Sequence, residues 1–502
     1  MKIPRSSGVL MHPTSLPGPY GVGDLGGAAR YFLDRLRDAH QRWWQILPLN
    51  PAGYGGSPYS ATSAFAGNPI LIDLEDLAHH GWLESSELLE LRKLCATLPE
   101  EKYVMEVVQP ARLKLLTKAW QRWHAKGGNH EASYQAFCKK HVHWLEDYAL
   151  FAALKEVFDD KAWTEWGDKA LIARQPAALA KAYKHHADAV ERHRFWQWLF
   201  FRQWHALRDE ARKRGVSLIG DIPIFVAMDS ADTWANREIF RVHQDGSFDV
   251  VAGVPPDYFS ETGQKWGNPL YRWDILAKTD YRWWVQRIHM AMETVDLIRI
   301  DHFRGFESYW EVPAKNKTAI QGRWLKGPEQ QFFDAIRRQL GGVPFIAEDL
   351  GMITEAVYTL RDHNELPGMK IVQFAFDDGD PNHIFLPHTY PEPCVAYTGT
   401  HDNDTTQGWY DSASEEIRHR VRTYFQHGDY DMVWRIIQGL LESRACLTVF
   451  PAQDLYPLGT RSRMNVPGTD SGNWHWRMTE PLLQMQGVWT RLGQLTANAH
   501  RG

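Results

Sequence analysis

Three carboxylate residues lie at the ends of short apolar segments of this sequence: Asp301 in DLIRIDHFRG and Glu348 in PFIAEDLG directly after theirs, and Asp402 in YTGTHDND shortly after its own. Two carboxyl groups about 5 to 5.5 Å apart can cleave a sugar bond with retention, one as nucleophile and the other as general acid. One isolated Asp at a strand end is better explained by an ion pair or a strand cap. Three carboxylates in equivalent positions favour a catalytic role instead.

Arg299 precedes Asp301 by two residues, and this spacing matters because side chains alternate along a strand. Arg299 and Asp301 therefore share one face, whereas Ile298 and Ile300 point toward the covering helices. A neighbouring guanidinium favours an ionised carboxylate, so we expect Arg299 to lower the pKa of Asp301, as a nucleophile requires. Glu348, less well paired and held against apolar walls, is the candidate general acid that stays protonated.

The elements that must position these residues are predicted from apolar, β-branched segments, which alternate mostly with segments of helical periodicity. The eight apolar segments cover residues 8–11, 43–49, 216–219, 296–300, 345–347, 369–376, 394–398 and 446–450. Eight such units predict an α/β fold, a (β/α)8 TIM barrel, whose chemistry lies at the carboxyl ends of the strands. An open, doubly wound sheet is the alternative, but no G-x-G-x-x-G follows the first segment.

We expect one (β/α)8 catalytic domain over residues 1–502, with two insertions. Residues 52–215 are too long for one crossover helix and predict a mainly helical insertion between strands two and three. Residues 226–271, rich in Gly, Pro and aromatic residues, predict a loop-rich insertion that covers the active site. The part after strand eight is too short for a C-terminal β-sandwich domain of about 100 residues. Helices are predicted at 86–98, 110–123, 132–158, 193–214 and near 482–499.

The composition indicates a globular protein with an uncharged partner. Lys plus Arg number 56 against 61 Asp plus Glu, a net charge of -5, which offers no electrostatic footprint for nucleic acid or an anionic membrane. The 4 cysteines lack C-x-x-C spacing, which argues against a zinc ribbon or a disulfide framework. The sequence has neither a signal-peptide segment nor a membrane-spanning run, so we expect a cytoplasmic location.

The aromatic content is high, with 23 Trp, 19 Tyr and 22 Phe. Aromatic rings present flat apolar faces and polar edges, which suits stacking on the CH faces of sugars. For any single Trp the more common explanation is core or helix packing. The aromatic content therefore favours a carbohydrate ligand without assigning one ring to it.

Four segments at the predicted strand ends resemble the signature regions of the α-amylase superfamily: GDIPIFV at 220–226, IRIDHFRG at 298–305, IAEDLG at 346–351 and THDND at 400–404. Longer segments are similar to the amylomaltases, the 4-α-glucanotransferases of glycoside hydrolase family 77. They are SLPGPYGVGDLG at 15–26, WWQILPLNPAGYGGSPYSATSAFAGNP at 43–69, VAGVPPDYFSETGQKWGNPLY at 251–271 and RMNVPGT at 463–469. The absence of a sandwich after strand eight also agrees with amylomaltases.

The resemblance implies three catalytic carboxylates and two residues of the binding site that support them. Asp301 would be the nucleophile, Glu348 the general acid and then base, and Asp402 the third carboxylate, which holds hydroxyls of the distorted donor sugar. Arg299 would orient Asp301, and Asp221 would support the site from strand three. For Asp301, Glu348 and Arg299 these assignments agree with the roles inferred above from residue type and spacing.

The resemblance also implies residues that bind substrate. His302 and His401 would hydrogen-bond sugar hydroxyls, and Tyr59 would stack near the donor subsite. Trp266 and Asp257 would line the glucan groove and cover the bound chain. Two weaker assignments are Asn473, as a further substrate-binding residue, and Tyr54, either as a secondary glucan contact or as a residue of ordinary loop packing.

The implied activity is that of a 4-α-glucanotransferase, EC 2.4.1.25, which disproportionates maltodextrins through a covalent glycosyl-aspartate intermediate. Donors and acceptors would be α-1,4-glucans, such as maltodextrins, amylose, and starch or glycogen chains, with neither nucleic acid nor a membrane as partner. No metal and no organic cofactor is implied, and residues 377–380 (DDGD) lack the ligand spacing of a calcium loop. The alternatives are a hydrolase of the same superfamily and a catalytically silent glucan-binding protein.

Overall fold

The structure is a computed structural model, which describes residues 3–256, 260–469 and 471–502. Within this part of the chain, eight parallel strands form the barrel: β1 (Ser6–Leu10), β2 (Trp43–Gln45), β3 (Ser217–Pro223), β4 (Leu297–Asp301), β5 (Phe345–Ala347), β6 (Gly368–Ile371), β7 (Cys394–Tyr397) and β8 (Leu447–Pro451). Each strand pairs with the next, and β8 pairs with β1, so the sheet closes. The predicted (β/α)8 TIM barrel is confirmed.

The strands form where the sequence is apolar because the barrel buries both of their faces. β1, β7 and β8 are buried at every residue, as expected of parallel strands that helices cover on the outside. β2 and β6 are shorter than predicted, and β6 gives way to a 3-10 turn at Val372–Ala375. Buried apolar residues continue beyond both strands, so the apolar pattern alone does not show where pairing stops.

The register of three neighbouring strands brings the charged residues together. Arg299 of β4 is paired with Asp221 of β3, and Asp301 is paired with Pro223. On the other side of β4, Ile300 is paired with Ala347, the last residue of β5. Asp301 directly follows Ile300, and Glu348 directly follows Ala347. Because Ile300 and Ala347 are paired, the two carboxylates lie at the same level of the barrel.

Helices surround the barrel and form most of the segment between β2 and β3. The predicted helix over 132–158 is two helices in the structure, which are separated at His141. The α-helices are Gly27–Asp38, Leu74–His79, Ser85–Cys95, Met105–Ala125, Ala132–Lys140, Val142–Val157, Lys169–Ile172, Pro176–His185, Ala187–Lys213, Ala231–Ala235, Trp273–Lys278, Arg282–Thr294, Glu329–Leu340, Glu355–His363, Thr406–Ser412, Glu415–Phe425, Met432–Glu442, Ala452–Leu455, Glu480–Gln484 and Gln486–Asn498.

Much of the aromatic content serves packing. Helix Ala187–Lys213 packs on helix Val142–Val157 and buries Trp204 completely. Trp123 contacts Phe195 with a distance of 4.4 Å between ring centroids. For these rings the packing explanation holds, and the candidates for sugar contact are the rings at the barrel mouth.

A small antiparallel sheet joins two connections of the barrel, and the sequence analysis did not predict it. Its strands, in spatial order, are Gln264–Lys265, Val250–Val254, Ser308–Pro313 and Arg323–Lys326. The first two belong to the segment predicted as loop-rich, and the last two follow β4. Short strands that pair across some 60 residues give only a weak sequence signal, because their apolar faces are small and the pairing is non-local.

The described residues after β8 form short helices and loops, and no β-sandwich. The two last helices, Glu480–Gln484 and Gln486–Asn498, occupy the region in which one helix was predicted. Nowhere in the described ranges is a helix both long enough and apolar enough to cross a membrane.

Candidate active site

Arg299 lies between two carboxylates at the mouth of the barrel. Its Nη1 is 2.9 Å from Oδ1 of Asp301 and 2.7 Å from Oδ2 of Asp221. The side chains of Arg299 and Asp221 are 3% and 0% exposed, whereas that of Asp301 is 28% exposed. Arg299 is therefore a buried cation that holds Asp301 at the edge of the open cleft.

The pKa of Asp301 is raised to about 6, chiefly by burial, although Arg299 lowers it and Asp221 and Asp402 raise it further. The expectation that Arg299 would bring this pKa below its ordinary value is therefore wrong in its net direction. The physical reason is that the sequence shows the cation but neither the depth of the site nor the second carboxylate that shares the same guanidinium. Asp301 is still mostly ionised at neutral pH.

Glu348 is held by two backbone N–H groups. The N–H of His302 donates to its Oε2 at 2.7 Å, and the N–H of Leu350 donates to its Oε1 at 3.1 Å. Burial nevertheless raises the pKa of Glu348 to about 8, with a further contribution from the charge of Asp301. Glu348 therefore carries a proton at neutral pH, as the sequence analysis expected of a general acid.

His302 aims its N–H at Glu348 by adopting an unusual backbone conformation. Its φ of 54° and ψ of 49° lie in the left-handed region, which costs a non-glycine residue roughly 1–2 kcal/mol. The residue is half-buried, burial lowers its pKa to about 3, and its buried Nε2 has no hydrogen-bond partner among the described residues. A neutral imidazole with an unsatisfied nitrogen at the barrel mouth is suited to bind a hydroxyl group.

Asp402 lies in the segment after β7 and is held from two sides. Nε2 of His401 is 3.3 Å from its Oδ2, and Nδ2 of Asn465 donates to its Oδ1 at 2.6 Å. Burial alone would raise the pKa of Asp402, but His401 and Asn465 together hold it below its ordinary value. Asp402 is therefore ionised throughout the neutral range.

Two residues that hold the segment of Asp402 were missed by the sequence analysis. The N–H of Asn465 donates to the carbonyl oxygen of His401 at 3.0 Å, and Nη2 of Arg463 donates to the carbonyl oxygen of Asp402 at 2.6 Å. Both lie in RMNVPGT, a segment that was quoted for its similarity but from which no residue was chosen. That similarity is the signal that could have found them.

Tyr59 joins the segment after β2 to the carboxylate cluster. Its hydroxyl donates to Oδ2 of Asp221 at 2.8 Å, and its ring stacks on His401 with 5.0 Å between ring centroids. Trp474, which the sequence analysis did not single out, lies 5.8 Å from the ring of Tyr59. The three rings form one wall beside Asp402.

Asn473 lies next to Trp474 and is buried, and its contacts are with its own loop. Its Oδ1 accepts from the N–H of Val466 at 2.9 Å, and its Nδ2 donates to the carbonyl oxygen of Thr469 at 3.1 Å. In this structure Asn473 thus stabilises the loop that carries Trp474. A direct contact between Asn473 and substrate stays a prediction.

Trp266 lies beside His302, in the insertion after β3. Its ring is 37% exposed and meets the edge of His302 at 88° with 4.8 Å between centroids. Asp257, predicted to line the same groove, lies outside the described residues. Tyr54 is 78% exposed, which argues against the loop-packing alternative for that residue.

The arrangement can transfer a glycosyl group. Neighbouring strands lie about 4.8 Å apart, so carboxyl groups that follow paired residues of β4 and β5 can flank one glycosidic oxygen. Glu348 is protonated and Asp301 ionised at the same pH, which are the states that a general acid and a nucleophile need. The ionised Asp402 and neutral His302 lie beside them as partners for hydroxyl groups.

Comparison with known proteins agrees with this chemistry. Residues 11–484 match the family model described as Glyco_hydro_77, 4-alpha-glucanotransferase. The chain is 48% identical over 487 residues to the 4-alpha-glucanotransferase of Thermus thermophilus, covering 95% of each chain. It is 44% identical over 481 residues to the enzyme of the same name from Streptococcus pneumoniae, covering 95% of this chain and 94% of that one.

A solved structure is similar over the whole length. The amylomaltase from Streptococcus agalactiae in complex with acarbose superposes with a TM-score of 0.95 at 37% sequence identity, covering 99% of this chain and 100% of that chain. The resemblance stated from the sequence and the assignment to the transferases are both confirmed. The chain belongs to glycoside hydrolase family 77, the 4-alpha-glucanotransferases.

Proposed function

We propose that the chain transfers segments of α-1,4-glucan between maltodextrins by a retaining double displacement with a covalent intermediate on Asp301. The observation that carries the proposal is the placement of Asp301 and Glu348 after the paired residues Ile300 and Ala347, with pKa values of about 6 and about 8. One carboxylate is ready to attack while its neighbour is ready to donate a proton. Retention requires that combination.

In the first half-reaction, Oδ of Asp301 attacks the anomeric carbon of the donor. The bond from this carbon to the glycosidic oxygen breaks, and Glu348 donates its proton to that oxygen. A glucan with a free 4-hydroxyl leaves, and the donor part stays as a β-linked ester on Asp301. Asp402 and His401 hold hydroxyls of the distorted sugar.

In the second half-reaction, Glu348 is ionised and acts as the base. It takes the proton from the 4-hydroxyl of an acceptor glucan, whose oxygen attacks the anomeric carbon and displaces Asp301. Two inversions restore the α configuration. One α-1,4 bond replaces another, so the free-energy change is small.

The substrate assignment is supported by the wall of rings and by the comparisons. The proposed donors and acceptors are maltodextrins, amylose, and starch or glycogen chains. The similar amylomaltase structure is a complex with acarbose, so we propose acarbose as a probe of the same site in this chain. The proposed binding residues are Tyr59, Asp221, Asp257, Trp266, Arg299, His302, His401 and Asn473. The cytoplasmic location stays a prediction.

Incubation with maltotriose separates transfer from hydrolysis. We expect glucose together with maltopentaose and longer oligomers, while the total concentration of reducing ends stays nearly constant, because each cleaved bond is remade. Chromatography of the products and a reducing-end assay measure the two quantities. A rise in reducing ends that matches the glucose released would identify a hydrolase, and no product at all would support the silent binding protein.

Trp266 is expected to limit the access of water to the glycosyl intermediate. Its ring covers His302 at the edge of the mouth, and closing a site suppresses hydrolysis of a reactive intermediate. We expect Trp266→Ala to raise the ratio of hydrolysis to transfer about 5-fold, measured as reducing ends gained per glucose released from maltotriose. Trp324→Ala is the matched control, since this ring is 38% exposed and lies in the small sheet whose edge strand, Gln264–Lys265, directly precedes Trp266. Equal ratios in both variants would contradict the role of Trp266.

A further inference from the structure

The segment that presents His401 and Asp402 has no regular structure of its own. It leaves the barrel at Tyr397, the last residue of β7, and ends at Thr406, the first residue of helix Thr406–Ser412. We call residues 398–406 the β7 loop. The loop contains a turn, in which the N–H of Thr400 donates to Oδ1 of Asn403 and the N–H of Asp402 donates to Oγ1 of Thr400. Because a catalytic group must keep its position within a fraction of an ångström, contacts from outside must also fix where this turn lies on the barrel.

Asp454 joins the two ends of the β7 loop. Its Oδ2 accepts from the hydroxyl of Thr398 at 2.5 Å and from the hydroxyl of Thr406 at 2.7 Å. Its Oδ1 accepts from the backbone N–H of Thr406 at 2.8 Å. One carboxylate, from helix Ala452–Leu455 after β8, thus bonds the first and last residues of the loop.

The carboxylate of Asp454 is buried, so loss of its hydrogen bonds would destabilise the protein strongly. The residue is 1% exposed, and Thr398 and Thr406 are 0% exposed. No salt bridge to Asp454 occurs among the residues that the structure describes. The two threonine hydroxyls and the N–H of Thr406 therefore offset the free-energy cost of burying the carboxylate. Burial raises the pKa of Asp454, and the two threonines oppose this rise.

Other contacts hold the middle of the same loop. Gln373, after β6, donates from Nε2 to the carbonyl oxygen of Asp404 at 3.0 Å, while Arg463 and Asn465 hold Asp402 from the other side. These residues fix the loop laterally, whereas Asp454 fixes the distance between its ends. A change at Asp454 would therefore move His401 and Asp402 together.

We propose that Asp454 is a positioning residue for the third carboxylate: by bridging Thr398 and Thr406 it holds Asp402 and His401 against the donor sugar. The proposal rests on the proposed function, in which Asp402 stabilises the distorted sugar of the transition state. Asp454 contacts neither the cleft nor the reacting atoms, so its effect passes through the loop. It should appear mainly in kcat, because the contact is strongest in the transition state.

The test is a double-mutant cycle between Asp454 and Asp402. The rate of transfer from maltotriose to radiolabelled glucose is measured for the wild type, Asp454→Asn, Asp402→Asn and the double variant, with the melting temperature of each. We expect Asp454→Asn to lower kcat about 50-fold with KM changed less than about 3-fold, since an ångström of displacement costs about 10²-fold. In the Asp402→Asn background the same substitution should lower kcat less than about 3-fold.

Asp296→Asn is the matched control. Asp296 is a carboxylate at the amino end of β4, where its Oδ2 accepts from the N–H of Leu218 at 2.9 Å and its Oδ1 accepts from Arg208 at 2.7 Å. This variant should lose thermal stability comparable to that lost by Asp454→Asn, with kcat near the wild-type value. Equal kcat losses in the two variants would show a general effect of stability and overturn the proposal.

The remaining outcomes separate the two proposals. If Asp402→Asn lowers kcat but Asp454→Asn lowers it by the same factor in both backgrounds, the positioning role is wrong and the catalytic role of Asp402 stands. If Asp402→Asn turns over like the wild type, both are wrong. Should Asp454→Asn fail to fold, Thr398→Val and Thr406→Val each remove one hydroxyl from the bridge and must show a smaller loss, about 5-fold, that disappears in the Asp402→Asn background.

Discussion

Asp301→Asn is expected to lower kcat for transfer from maltodextrins by about 10⁵-fold, because an amide cannot form the glycosyl ester. The substitution preserves the shape of the side chain. Arg299 keeps its buried pairing with Asp221, so the cleft should stay folded. We therefore expect acarbose affinity within about tenfold of the wild-type value, measured by titration calorimetry.

The control for this experiment is Asp280→Asn, at an exposed carboxylate that pairs with Arg338 on the surface. It should retain wild-type turnover. Near-normal transfer by Asp301→Asn would refute the nucleophile, whereas simultaneous loss of acarbose binding and of thermal stability would show that the residue is structural.

Replacing Glu348 gives the second large effect, and its size depends on the donor. With maltotriose, Glu348→Gln should lower kcat about 10³- to 10⁴-fold, because the leaving oxygen no longer receives a proton. With α-maltosyl fluoride, whose leaving group needs little protonation, the first half-reaction should stay within about tenfold of the wild type. Since the variant also lacks the base of the second half-reaction, mass spectrometry should find a maltosyl group on the peptide that contains Asp301.

The same substitution should change the pH profile. In the wild type, kcat/KM should fall as the pH rises through about 8, where Glu348 loses its proton, and as the pH drops below about 6, where Asp301 gains one. With maltotriose, whose leaving group needs the proton, the residual activity of Glu348→Gln should lose the alkaline decline and keep the acidic one. Asp349→Asn, at the neighbouring carboxylate that pairs with Arg361, should keep both. An alkaline decline that persists in Glu348→Gln would contradict the assignment of the general acid.

The barrel and its carboxylates could be predicted from the sequence because the signals are local. A β-branched segment followed by a polar residue marks a strand and its carboxyl end, and alternation along β4 places Arg299 beside Asp301. The pairing of Asp221 with the same guanidinium needed the register of β3 against β4, which no local pattern contains. The raised pKa of Asp301 followed from that arrangement and from burial.

The parts that escaped prediction depend on residues far apart in the chain. Arg463 and Asn465 approach Asp402 from the loop after β8, some 60 residues along, and Tyr59 reaches Asp221 across the helical insertion. The small sheet pairs Val250–Val254 with Ser308–Pro313. In each case the contact depends on the closed barrel, which brings the segments together.

The sharing of Arg299 between Asp221 and Asp301 has a consequence for the lifetime of the proposed glycosyl ester. When Asp301 becomes an ester it loses its negative charge, yet the guanidinium keeps Asp221 as a counter-ion. An isolated buried cation would be strongly unfavourable, and it would favour reversal of the ester to the charged carboxylate of Asp301. Because Asp221 already matches its charge, Arg299 does not favour return of the proposed ester to the free carboxylate, so the ester can persist until a second sugar chain diffuses in.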